Sequence, residues 1–123
     1  LVEKDPVQHK QQHRQLRSTF SEAKKTISEG KADLLSIALY KARAATYNTH
    51  HQFAEEALTR RQLLDNFELD EMESSLQMYS LVTAYTNLGY FDKALSTAKE
   101  LQKKYPSNSF SSALEYTIKF MPH

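Results

Sequence analysis

Two glycines and three prolines are all that interrupt this 123-residue chain. A chain so poor in turn-forming residues cannot supply the many reversals an all-β fold needs. Between Gly30, Gly89 and Pro106 the chain is dominated by Ala, Leu, Lys, Glu and Gln, all good helix formers. The expected fold class is all-α, built from antiparallel helix hairpins joined by short turns.

Apolar spacing places six helices. The first runs over about 6–28, with Pro6 in its first turn and Leu16, Phe20, Ala23 and Ile27 on one face; Gly30 is read as its terminator. The second covers about 33–48. Asp33 sits where a cap or first-turn acid belongs, and Ala38, Ala42, Ala44 and Ala45 keep this helix thin. The third covers about 52–66, with Phe53, Ala57 and Leu64 on one face. The fourth, about 70–88, has two apolar stripes, Met78/Leu81/Tyr85/Leu88 and Met72/Leu76/Tyr79/Val82, and is expected to be packed on two sides. Gly89 ends it. The fifth, about 91–105, carries Ala94, Ala98, Leu101 and Tyr105 and stops before Pro106. The sixth, about 109–121, presents Phe110, Ala113, Leu114, Thr117 and Met121.

Matched residues recur at almost one offset. Ala57 and Ala94 are 37 apart, as are Leu64 and Leu101; Tyr47 and Tyr85 are 38 apart, as are Phe53 and Phe91. Recurrence of this kind marks repeated helix pairs, the second and third helices forming one unit and the fourth and fifth the next. Within the later unit, Leu81, Tyr85, Gly89, Phe91, Ala94 and Pro106 stand in LVTAYTNLGYFDKALSTAKELQKKYP, and the stretch Ser75–Asn108 resembles a tetratricopeptide repeat, a unit of about 34 residues. The resemblance implies that Leu81 and Tyr85 pack inside a hairpin, Gly89 makes its turn, Ala94 lets two helices cross closely and Pro106 closes the unit. It departs from the family pattern at Met78, Val82 and Ala98. The upstream unit, about 38–67, is degenerate, with His50-His51-Gln52 at the turn. One domain over 1–123 is then expected: a short right-handed superhelix of about six helices, with 6–28 and 109–121 flanking the repeats.

Lys and Arg number 16 against 15 Asp and Glu, a net charge of +1, without the basic bias of a nucleic-acid surface. There is no cysteine, so disulfides, thiolate metal sites and a cysteine nucleophile are excluded. No apolar run approaches the ~18 residues of a membrane span. The polar start LVEKDPVQHK does not read as a signal peptide, and a chain beginning at Leu1 reads as a mature form or a piece of something longer.

His9 and His13 have the i, i+4 spacing of a metal pair but lack a third ligand in sequence. His50 and His51 fill a turn. The pairs Lys24-Lys25, Arg60-Arg61 and Lys103-Lys104 have Glu22, Glu55-Glu56 and Glu100 close by, which favours an ordinary solvated, charge-mixed face. No GxSxG, phosphate loop or paired-carboxylate motif appears, so no catalytic residue, metal or cofactor is expected.

The resemblance puts a partner groove on the first helix of each pair: Leu76, Tyr79, Thr83 and Thr86 in the later unit, Ala42, Thr46 and Thr49 in the earlier. Tyr79 and Thr83 stand where some members of the family carry a carboxylate-clamping Lys and Asn, so a chaperone-tail receptor of that type is not expected. The expected role is a non-catalytic adaptor or scaffold binding a protein or peptide segment, with no nucleic acid and no membrane insertion. The alternatives are a sensor or regulatory region of a larger bacterial signalling protein, and a self-assembly module forming homo-oligomers. The cytoplasm is the first expectation for location, with the periplasm following if the chain belongs to a bacterial sensor.

Overall fold

The computed structural model describes residues 29–121. The helix expected over 6–28, with His9, His13 and Lys24-Lys25, lies outside them. The described residues form five helices and no strand: α1 (residues 29–49), α2 (Phe53–Asn66), α3 (Glu71–Leu88), α4 (Phe91–Lys104) and α5 (Ser109–Phe120). The protein is all-α. The chain divides into two compact units, Leu1–Ser36 and Ile37–His123, and the helices from residue 37 onward belong to the second. Gly30, expected as a terminator, is helical, and so is Asp33, expected as a cap or first-turn acid. One glycine costs a helix only about 1 kcal/mol, too little by itself to end one.

Local chemistry explains the other boundaries. The Asp70 carboxylate accepts from the Glu73 N–H at 2.8 Å, and Glu71 and Glu73 place negative charge at the N-terminal end of α3. Asn108 caps α5 by accepting from the Phe110 N–H at 2.8 Å. Lys103 and Lys104 sit in the last turn of α4, where cations favour the helix dipole.

The two hairpins turn in the same way. Gly89 adopts φ 78, and Tyr90 N–H donates to Tyr85 O at 2.9 Å while Gly89 N–H donates to Thr86 O at 3.0 Å. Earlier in the chain by 38 residues, His51 adopts φ 56, Gln52 N–H donates to Tyr47 O at 2.8 Å and His51 N–H donates to Asn48 O at 3.0 Å. This pattern closes a helix through a left-handed residue. Both second helices have 14 residues and begin at Phe53 and Phe91; both end in an aromatic, Phe67 or Tyr105.

The uniform spacing of 38 corrects the sequence alignment of α2 on α4. Glu56, Thr59, Arg60 and Leu63 are buried in α2, and Ala94, Thr97, Ala98 and Leu101 are buried in α4, each pair 38 apart. Ala94 therefore corresponds to Glu56 rather than to Ala57, and Leu101 to Leu63 rather than to Leu64. The pairing at 37 matched like residues but placed them one position away from their structural equivalents.

Packing follows chain order: α2 on α3, α3 on α4, α4 on α5, with α5 also reaching α3. As its two stripes predict, α3 packs on two sides. Leu81 and Ala84 cluster with Ala57 of α2, and Met78 and Val82 cluster with Ala94, Ala98 and Leu101 of α4. Leu63, Leu81 and Leu101 are each fully buried, worth roughly 1.5–3 kcal/mol apiece. Of the five alanines of α1, only Ala44 is buried. Met72 and Leu76 are exposed, 76% and 39%, so the N-terminal half of the second α3 stripe is uncovered, contrary to expectation.

The two turns make opposite predictions. A side chain at φ 56 is strained by about 1–2 kcal/mol, so His51→Gly is expected to be neutral or to stabilise by up to about 1 kcal/mol after the entropy of glycine is deducted. A Cβ at Gly89 meets nothing within 4 Å, so Gly89→Ala costs only backbone strain, about 1–2 kcal/mol. Urea unfolding midpoints shifting in opposite directions check both.

Candidate functional site

The proposed groove residues lie where their helices put them, on faces turned away from the core. Leu76, Thr83 and Thr86 are exposed on α3, and Ala42, Thr46 and Thr49 on α1. Each threonine hydroxyl donates to its own helix. Thr46 bonds Ala42 O at 2.9 Å, Thr49 bonds Ala45 O at 3.0 Å, Thr83 bonds Tyr79 O at 3.2 Å and Thr86 bonds Val82 O at 2.8 Å. Their protons are engaged locally, leaving methyl groups and acceptor lone pairs for a partner.

Tyr79 is different. It is half-buried and its ring tilts against Phe110 of α5, centroids 5.2 Å apart. It joins helices as well as lining a surface. Phe110, 31 residues away in sequence, has no local signal tying it to this face, and sequence reading assigned it only to the apolar side of its helix. Met72 extends the uncovered strip by one turn beyond Leu76.

At the structural spacing of 38, the α1 equivalents of Tyr79, Thr83 and Thr86 are Lys41, Ala45 and Asn48, one position before Ala42, Thr46 and Thr49. Lys41 reaches α3, where its ammonium pairs with Glu73. An ion pair thus ties α1 to α3, and the Tyr79–Phe110 ring contact ties α3 to α5. The edge-on pair Tyr40–Phe67, centroids 5.6 Å apart, likewise precedes by 38 the apolar cluster holding Met78 and Tyr105.

Beneath the Lys41–Glu73 pair runs a buried polar chain. Gln77 Nε2 donates to Glu73 at 3.1 Å, Arg60 Nη1 donates to Gln77 Oε1 at 2.7 Å, and Arg60 Nε donates to Glu56 at 2.8 Å. Asn48 of α1 completes it, donating to Glu56 at 3.1 Å. Glu56 and Gln77 are 1% and 2% exposed, and Arg60 is 9% exposed. Arg60 therefore does not belong to the solvated face that its neighbourhood of charges suggests. The i, i+4 spacing of Glu56 and Arg60 was visible; their burial was not, because it depends on α3 covering them.

Arg61, the next residue, faces out and bridges Asp65 at 2.9 Å and Glu100 of α4 at 3.4 Å. Burial pulls its pKa down, but the hydrogen bond to Asp65 and the charge of Glu100 outweigh this and hold it above the ordinary value. These residues rim a cleft of about 530 Å³, with Glu68 and Lys104 also at the edge and Leu64, Phe67 and Met78 on the walls. None of the groove residues lines it. Its charges are mixed and Arg61 is already shared between two carboxylates, so the cleft favours neither an anion nor a cation.

His51 stacks on Phe53, ring centroids 5.5 Å apart, and fills its turn. Among the described residues, no group of three or more His, Cys, Asp or Glu is gathered in a metal-holding arrangement, and no helix is long and apolar enough to cross a membrane. No protein-family model, curated protein or solved structure matches this chain.

Adjacent arginines are expected to respond differently. Arg60→Ala strands a buried carboxylate and is expected to cost about 3–5 kcal/mol, whereas Arg61→Ala at the surface costs less than about 1 kcal/mol. Denaturant unfolding of the two variants measures the difference.

Proposed function

We propose that this chain is a non-catalytic helical-repeat module of the tetratricopeptide kind, an adaptor that docks a protein or peptide segment in a groove along the inner face of the first helix of each pair, centred on the open face of α3. The observation that supports this reading is the repeated hairpin itself: the same left-handed turn, the same four buried positions and the same aromatic end recur at a spacing of 38. Stacked hairpins bury the faces between neighbours and leave the inner, concave face of each first helix open. On α3 that face carries Met72, Leu76, Thr83 and Thr86, apolar groups and methyls with few fixed charges. A surface of this character suits an amphipathic helix or an extended segment held through its side chains. The spacing of 38 is about one helical turn longer than the family's usual 34 residues, in keeping with an 18-residue first helix. In this reading the hairpins continue as a short right-handed superhelix.

The experiment is a crosslinking pull-down with paired surface variants. Leu76→Glu and Thr83→Glu are expected to leave the fold intact, within about 0.5 kcal/mol, and to abolish capture of the partner. Tyr79→Ala is a poor probe, since loss of the Phe110 contact is expected to lower stability by about 2 kcal/mol whatever happens to binding. Capture that survives both glutamates removes α3 from the binding surface.

A further inference from the structure

The two hairpins share a turn, a length and a set of buried positions, yet their junctions with the next helix have opposite chemistry. In the first junction, Glu56 and Arg60 of α2 meet Gln77 of α3 through hydrogen bonds of 2.7 and 2.8 Å. In the second, the equivalent residues of α4 are Ala94 and Ala98, and they share an apolar cluster with Leu114 of α5. Gln77 and Leu114 hold corresponding places on the buried faces of α3 and α5, 37 apart, one residue short of the spacing of 38 kept by the caps Asp70 and Asn108. Ser74, Gln77, Leu81 and Ala84 line the buried side of α3, and Ser111, Leu114, Ile118 and Met121 repeat that spacing on the packed side of α5.

We propose that the Glu56–Arg60–Gln77 triad is a pairing key that keeps α2 on α3 and off α5. Without it, α2 and α4 would be near-interchangeable helices of 14 residues, each entered through the same turn. The exchange is opposed from both sides. If α2 took the place of α4, Arg60 and Glu56 would be buried against Leu114, with no amide to accept from the guanidinium. If α4 took the place of α2, Ala94 and Ala98 would leave the Gln77 amide buried without its Arg60 partner. A buried polar group left unpaired is penalised more than a paired one stabilises, so the key acts mainly against wrong pairings. Asn48 and the Lys41–Glu73 pair extend it to α1, so a single polar chain joins all three helices of the first junction. The hazard it guards against is characteristic of repeats, in which one copy's hairpin occupies another copy's junction.

The absence of cysteine allows a direct test. Gln102 Nε2 donates to Ser111 O at 3.1 Å, so the α4–α5 junction places residues 102 and 111–112 side by side, and the α2 equivalent of Gln102 is Leu64. One population of the full chain carries Leu64→Cys and a second carries Ser112→Cys. A disulfide between them reports α2 of one molecule sitting on α5 of another. In the otherwise native protein this product is expected at background level. With Glu56→Met, Arg60→Met and Gln77→Leu added to both populations, it is expected to rise at least tenfold, accompanied by concentration-dependent dimers in sedimentation. A folded triple variant that stays monomeric at the background crosslink level overturns the proposal. Should circular dichroism show the triple variant unfolded, the smaller change Glu56→Gln with Arg60→Met is read in the same assay. The same rise supports the key, and background crosslinking in that folded variant overturns it.

Discussion

The left-handed turn that closes each hairpin governs the rest of this structure. A helix closed through one residue at positive φ, with its last carbonyls bonded to the two following N–H groups, leaves little freedom in how the next helix leaves. Because His51 and Gly89 make the same turn 38 residues apart, α2 and α4 begin in the same register and bury the same four positions. The repeat is thus a geometric fact before it is a chemical one. Glycine is the residue suited to this conformation, and His51 shows that the hairpin forms without one, the strain being carried by the surrounding packing.

With register set by the turn, each junction is filled by a different solution. The α3–α4–α5 junction uses small side chains, Ala94 and Ala98, to let helices approach around Met78, Val82 and Leu114. The first junction places a carboxylate, a guanidinium and an amide at the corresponding positions and satisfies them mutually. Apolar filling gains from burial in proportion to area, whereas the polar filling is close to neutral in net stability but intolerant of a missing member. The second junction therefore has the means to supply more of the stability, and the first a greater demand on pairing.

The open face of α3 is a consequence of the same arrangement. A helix with neighbours on two sides has a third side left over, and here it carries Met72, Leu76, Thr83 and Thr86. Tyr79 lies at the edge between core and surface, with its ring against Phe110. A partner docked on this face, as proposed, would meet a surface whose threonine protons are already committed to backbone carbonyls, so shape and apolar contact would carry the recognition more than directed hydrogen bonds.

Much of the fold was legible in the chain itself. Scarce glycine and proline, apolar residues spaced by three and four, and the terminators Gly89 and Pro106 determine four of the helices to within a residue or two, because each signal acts within a few positions of the backbone it shapes. The two-sided burial of α3 followed from its double stripe. The register between repeats was left open: like residues gave 37 at 57/94 and 64/101 but 38 at 47/85 and 53/91, and the hydrogen bonds through the two turns decide for 38. Nor could sequence distinguish Arg60 from Arg61, neighbours of one type, of which one is buried and the other bridges two carboxylates at the surface. Helix periodicity says which residues share a face, but burial is decided by which helix arrives to cover that face, and that is a property of the tertiary structure alone.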